Sequence, residues 1–555
     1  MESLHQLETV ILLLIAVLAL AAIARKLVIP YPILLVIGGL VLGFIPGVPT
    51  LRLDPDVVFL VFLPPILWSA AYFTSWRDFR SNLRPITLLA VGLVLATTAA
   101  VAMVAHIWLP GLGWAGAIAL GAIVSPPDAV SATAVAKRLG LPRRAVTILE
   151  GESLVNDATA LILYRAAVIA AISGTYTFSD TVRDFFMAAA VGVVVGLSVG
   201  VVARWALRLM EDSFSEIAIT LLSPYIAWVL ADQAHSSGVM ACVAGGLYLR
   251  RHFSEAVAPT TRIQARAVWD FLVFVLNAVI FILIGLQLGA LREAVPSGMF
   301  VPLILSGALV SVTAIAVRMI WVPLAAWIPR LFSPSLRARD PMPHWSGLFI
   351  IGWTGMRGIV SLAAALALPL TTAAGAPFPF RAEIILITFS VIFVTLVLQG
   401  LSLPPLIRAL NLKEDGTLER EEIQAREHAA TAALVRLDEV ANEGWPIPEH
   451  LDQMRVHYGG RVQRYAKDGT AAECTPEAAE AFRRLRHETL TAERLAVIGL
   501  RNDGAISDDV LHRLEHELDV EALRLGIGER RVSSGGDNPR QGNAGSSCDT
   551  SPRAR

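Results

Sequence analysis

The chain has 555 residues, of which 55% are hydrophobic and only 17% charged, with a mean hydropathy of +0.59. That is too apolar for an ordinary water-soluble enzyme. A net charge of -1, from 46 Lys and Arg against 47 Asp and Glu, removes the electrostatic case for nucleic acid as a partner. The three cysteines, Cys242, Cys474 and Cys548, lie too far apart for a disulfide framework or a zinc site.

The charges are unevenly spread. Up to residue 412 they punctuate long apolar runs, and from Lys413 the sequence turns polar. A hydrocarbon core about 30 Å thick takes about 20 apolar residues per crossing. On that measure residues 1–412 predict an all-α polytopic membrane domain of roughly thirteen helices, over Leu7–Ala24, Tyr31–Phe44, Val57–Phe73, Ile86–Trp108, Trp114–Ala136, Ala145–Ala171, Phe185–Ala203, Ile217–Leu230, Gly238–Leu249, Val268–Leu288, Phe300–Ile328, Leu348–Leu370 and Ile384–Leu401. The eighth and ninth carry the weakest signal. The lipid bilayer is therefore the first partner expected.

No Lys or Arg precedes Arg25, so the first segment lacks the basic flank of a cleavable signal and is expected to span. One alternate set of loops holds basic groups such as Arg25, Lys26, Lys137, Arg138, Arg143, Arg144, Arg250 and Arg251. The other holds Arg52, Arg183, Arg292 and Arg381 alone. The positive-inside rule then places the N-terminus outside and the C-terminus in the cytoplasm of a cell (plasma) membrane. With the seventh helix as a spacer, an odd total makes two inverted six-helix repeats, the plan of transporters that hold substrate near the midplane on broken helices.

The fifth helix contains Ser125-Pro126-Pro127-Asp128, where two successive prolines remove two backbone donors and force a break. The twelfth reads Gly352-Trp-Thr-Gly355-Met-Arg357-Gly358, loosened by three glycines. Asp128 and Arg357 thus fall at two suspected breaks, where a carboxylate and a guanidinium would neutralise exposed helix ends. The sixth helix carries Glu150, Glu152, Ser153, Asn156 and Asp157 in an otherwise apolar run. At 1.5 Å per residue from Ala145, Asp157 lies about 18 Å deep, near the midplane, with Glu150 two turns shallower. Intramembrane acids are costly unless paired, hydrated or neutralised. Three roles follow. Asp157 exchanges a proton for a hard monovalent cation, Glu152 forms a supporting ion pair with Arg357, and Asn156 holds backbone or completes the cation shell. On that pairing, Arg357→Ala is expected to strand Glu152.

These residues resemble the monovalent cation:proton antiporter-1 family, in its bacterial sodium/proton exchanger branch. The matching elements are Phe62-Leu-Pro64-Pro65-Ile-Leu67, Ser125-Pro-Pro-Asp128, Gly151-Glu-Ser-Leu-Val-Asn-Asp157, Phe281-Ile-Leu-Ile-Gly285-Leu-Gln287 and Gly355-Met-Arg-Gly358. The resemblance implies a homodimer, crossed broken helices in a moving core, and protons and cation competing for Asp157, with Asn156, Asp128, Glu152 and Arg357 around it. Asp157 and Asp128 then hold sodium as substrate, with no other metal and no cofactor. The Asn156-Asp157 pair goes with electroneutral exchange. Relatives commonly place a hydroxyl where this chain has Pro127, so Ser131, Thr133, Ser153 or a freed carbonyl would substitute as ligands, with Glu150 nearby.

The expected function is secondary exchange of sodium for protons by alternating access. A potassium/proton antiporter is the alternative, and an uncoupled cation channel a further one. No Ser/His or paired-His arrangement at helical spacing suggests an enzyme. From 413 to 527 apolar residues such as Ile423, Ala430, Leu434 and Leu437 recur at helical spacing, predicting a helical cytoplasmic domain. Residues 528–555, rich in Ser, Gly, Asn and Arg, are expected to be disordered.

Overall fold

The computed structural model describes residues 2–27, 30–45, 55–128, 141–173, 178–210, 212–294, 298–372, 375–410, 412, 417–443, 445–465, 476–503 and scattered positions from 510 to 522. It divides into two compact units, Met1–Asp415 and Gly416–Arg555. Among the described residues there is no strand, and one isolated bridge joins Thr371 to Pro377.

In the first unit each apolar segment expected from the sequence contains helix among the described residues, with 125–128 and 354–358 non-helical and 129–136 outside the described residues. The elements are α1 (Glu2–Leu27), α2 (Tyr31–Gly43), α3 (Pro55–Phe73), α4 (Leu83–Trp108), α5 (Trp114–Val124), α6 (Arg143–Ser173), α7 (Phe178–Leu209), α8 (Ser213–Gln233), α9 (Gly238–Ala256), α10 (Pro259–Ala294), α11 (Phe300–Phe332), α12a (Trp345–Trp353), α12b (Ile359–Leu366) and α13 (Arg381–Ala409). Eight described helices are long and apolar enough to cross a membrane by length and composition. The weak eighth and ninth segments are both helical, capped by Asp212 and Ser237 side chains that accept from the Ser215 and Met240 amides. Helix α7 is the least covered, with 22% of its apolar window buried. Its Phe186, Val194, Val202 and Trp205 are exposed, as on a helix bathed by lipid or a partner helix.

Small residues let the helices close on one another. A Cβ on Gly39 of α2 would come within 2.2 Å of the Ile282 carbonyl oxygen of α10, and one on Gly285 within 2.3 Å of the Val36 oxygen. Backbone-to-backbone approach of this kind is how helices associate where no hydrophobic effect operates between them. Helix α4 packs on α5 and α11, α5 on α6, and α11 on α12a and α13, whereas α7 and α3 pack on α9 and α10 on α2. Three helices contain π turns, at Val58–Phe62, Leu88–Leu93 and Thr395–Gln399, a distortion that frequently accompanies functional sites.

The second unit contains α14 (Thr417–Ala441), α15 (Pro448–Tyr465) and α16 (Pro476–Asn502). Ala430 and Leu490 are buried and Ile423 is exposed. Residues 528–555 lie outside the described residues.

Candidate functional site

Two helix interruptions meet inside the first unit. Helix α5 ends at Val124, and the chain leaves helical geometry through Ser125-Pro126-Pro127-Asp128. On the twelfth segment, α12a ends at Trp353 and α12b begins after Gly358, leaving 354–358 unwound. The interruptions satisfy each other. The Asp128 amide donates to the Met356 carbonyl at 2.7 Å, and the Arg357 guanidinium donates through Nε to the Val124 carbonyl at 2.6 Å and also to the Gly355 carbonyl. The Arg357 amide donates to Thr395 Oγ1 at 3.0 Å, at the start of the π turn in α13. A cation thus caps the carbonyl end of α5.

The anion sits at the opposite kind of end. A Cβ on Gly358 would lie 2.1 Å from Asp128 Oδ2, so the carboxylate rests directly on the residue that opens α12b. Any side chain at 358 would displace it. Asn156, fully buried on α6, donates from Nδ2 to the Pro127 carbonyl at 3.0 Å, and its Oδ1 has no hydrogen-bond partner among the described residues. Asp157 is 6% exposed, and no described group hydrogen-bonds its carboxylate. It lines a cavity of about 320 Å³ with Asp128, Glu150 and Ser153. Ser131 and Thr133 lie outside the described residues.

The expected ion pair is corrected. Glu152 is bound not by Arg357 but by Arg318, on α11, through a two-pronged contact in which Nη1 meets Oε1 and Nη2 meets Oε2, the latter at 2.8 Å. Arg318 also donates from Nε to the Ile351 carbonyl at 3.2 Å, and both side chains of the pair are 1% exposed. The reason is geometric. Arg357 spends its donors on carbonyls freed by the two interruptions, while the planar fork of Arg318 fits a carboxylate. Sequence reasoning passed over Arg318, yet a lone guanidinium midway along an apolar helix is the same signal that drew attention to Arg357.

A larger cavity, about 1380 Å³, opens between α3, α6, α7, α8 and α9. It touches none of Asp128, Glu152, Asn156, Asp157 or Arg357, so its size does not locate the chemistry. Its position does matter. Helix α6 lines the smaller cavity with residues 150–157 and the larger one from Leu161 onward. One helical turn, about 6 Å, separates Asp157 from Leu161.

A family model described as the transmembrane sodium/hydrogen exchanger matches residues 12–409. The chain belongs to the sodium/hydrogen exchanger family. An uncharacterised Na+/H+ exchanger of Mycobacterium tuberculosis is 35% identical over 530 residues, covering 94% of this chain and 96% of that one. A Na+/H+ antiporter of Aphanothece halophytica is 31% identical over 417 residues, covering 74% and 76%. A sodium, potassium, lithium and rubidium/H+ antiporter of Bacillus pumilus is 30% identical over 449 residues, covering 78% and 66%. Among solved structures, the sodium proton antiporter MjNhaP1 of Methanocaldococcus jannaschii shares the fold with a TM-score of 0.56 at 18% identity, covering 73% of this chain and 99% of that one. The interruptions, the Gly151–Asp157 block and Arg318 all fall within the matched region of this exchanger chain.

Proposed function

We propose that this chain exchanges sodium for protons, with Asp157 as the group that carries either one. The carrying observation is a buried carboxylate without a hydrogen-bonding partner among the described residues, lining a cavity where two helix interruptions touch. With Arg318 offsetting Glu152 and Arg357 offsetting Asp128, Asp157, 6% exposed, keeps one unmatched negative charge when ionised, while Glu150 on the same cavity is only half-buried. One bound Na+ or one bound H+ cancels it, and charge balance in a low-dielectric site disfavours both together. That supports electroneutral one-for-one exchange.

The cavities on either side of Asp157 along α6 support alternating access: a short displacement of the turn between Asp157 and Leu161 would trade one opening for the other. Asn156 and Asp128 complete the site, the amide with its unpartnered Oδ1 as a hard oxygen donor. Ser153 and Glu150 line its approach, and Ser131 and Thr133 remain candidate ligands. Sodium is the cation favoured here; potassium is the alternative suggested by the broader range of cations in the name of the Bacillus relative. We further propose a homodimer in the plasma membrane with the N-terminus outside, and residues 413–527 as a cytoplasmic helical domain.

The test is cation-dependent proton movement in proteoliposomes. Wild type should acidify or alkalinise the lumen according to the imposed Na+ gradient without generating current. Asp157→Asn should abolish the exchange while the purified protein melts no lower than wild type. Undiminished exchange by Asp157→Asn would contradict the assignment, and proton flux without counter-cation would favour a channel.

A further inference from the structure

Two helices wall the 320 Å³ cavity with matching ladders. On α6 the polar lining groups are Glu150, Ser153 and Asp157, and on α10 Asp270 and Asn277 line it with Val273 between them. Both sets follow the spacing of a single helical face. In each, the last polar group lies seven residues, about 10 Å, beyond the first carboxylate. Asp270 has a 64% exposed side chain and a loose 3.8 Å contact with Arg266. Asn277, two turns further on, is 1% exposed, and neither its Oδ1 nor its Nδ2 has a hydrogen-bond partner among the described residues. A buried amide with both ends unmet costs stability that no contact inside the protein returns. Gln399 is equally unpartnered among the described residues but lines neither cavity, so Asn277 is the one of the two placed to meet a solute.

We propose that Asn277 is a ligand of the transported cation, supplying a neutral oxygen from the α10 wall of the cavity whose α6 wall carries Asp157. This rests on Asp157 as the exchange site and adds to it a second neutral amide oxygen beside that of Asn156, from a different helix. An amide oxygen is a hard donor suited to a monovalent alkali cation, yet it takes up no proton near neutral pH. It therefore strengthens Na+ binding without strengthening H+ binding. Ser361 Oγ, also without a partner among the described residues, borders the same cavity from α12b and can complete the shell.

The experiment compares wild type, Asn277→Leu, Asn277→Ser and Asp157→Asn in proteoliposomes across Na+ concentrations at alkaline pH, with melting of each purified protein in the presence and absence of Na+. Asn277→Leu should raise the Na+ concentration for half-maximal exchange about tenfold, the loss of one good ligand. It should also shrink the Na+-induced rise in melting temperature, and melt no lower than wild type without Na+. Asn277→Ser should show a smaller shift in the same direction, and carries the test alone if the leucine variant does not fold. Wild-type Na+ dependence in the Asn277 variants, or a lowered melting temperature without a change in half-saturation, overturns this assignment while a silent Asp157→Asn leaves the exchange site standing. Normal exchange by Asp157→Asn instead overturns the exchange site itself.

Discussion

Helix α6 carries two deeply buried carboxylates five residues apart, and their surroundings are opposite. Glu152 faces α11, where Arg318 engages both of its oxygens. Asp157 faces a cavity, and no described group hydrogen-bonds it. Both acids are almost fully shielded from solvent, so burial alone does not tell them apart. What separates them is whether the protein itself supplies the counter-charge. A group whose charge is already met is fixed in place, whereas one left unmet recruits its partner from solution, which on the function proposed above is the cargo.

The comparison can be broken most severely at Arg318. Arg318→Leu should strand Glu152 and destabilise the protein by about 3–5 kcal/mol, whereas Glu152→Leu combined with Arg318→Met should recover most of that loss. Melting in detergent reads both. A single variant as stable as wild type would show that Glu152 does not depend on the pair. A smaller effect is expected at the meeting of the two interruptions. Gly358→Ala places a methyl group 2.1 Å from Asp128 Oδ2, an overpacking that costs about 1–3 kcal/mol. Exchange should fall because Asp128 is pushed out of register with Asp157, and unaltered kinetics would mean that the Asp128 carboxylate has no part in the site.

The smallest effect is expected at a carboxylate outside the membrane-spanning helices. Asp340 accepts from Arg84 and Arg144 at 2.8 Å and from Arg330 at 2.7 Å. Burial pushes its carboxyl up, but the bonds and charges of Arg144 and Arg330 outweigh this and hold it below the ordinary aspartate value of 3.8. A depressed folded value means the stabilisation is full above pH 3.8 and fades as pH falls through the lower folded value. Asp340→Asn should therefore cost about 1 kcal/mol or less at neutral pH, since the group is partly exposed. The difference in melting from wild type should narrow below pH 3.8. A difference that persists there would mean that Asp340 acts through packing instead of charge. Glu152, in contrast, is enclosed with its partner, so the two acids bracket what an arginine is worth at the surface and in the interior.

The sequence showed the helices clearly because hydropathy is a local property, and it placed Asp128 and Arg357 at interruptions because proline and glycine act on their own backbone. It also brought out Asn156 and Asp157, since polar groups inside an apolar run carry their own signal. It did not show which guanidinium meets Glu152. Arg318 is 166 residues away, and no periodicity links two helices so far apart in the chain. Arg357 was the nearer guess in chemistry but is occupied by the carbonyls of Val124 and Gly355, a demand that exists only once two broken helices meet. The consequence is that the destabilisation expected of Arg357→Ala through Glu152 belongs to Arg318. Asn277, an amide among apolar residues, was not singled out from the sequence, because what marks it, unmet hydrogen-bonding atoms on a cavity wall, is a property of the packed structure.

The most direct measurement is the number of protons released when Na+ binds, read by calorimetry of the purified protein in buffers of different ionisation enthalpy, near the pH where half of the Na+ affinity is lost. Competition at Asp157 predicts release approaching one proton per Na+ as pH falls through that point, and neither binding nor release in Asp157→Asn. Saturable Na+ binding with no proton released at any pH would contradict it.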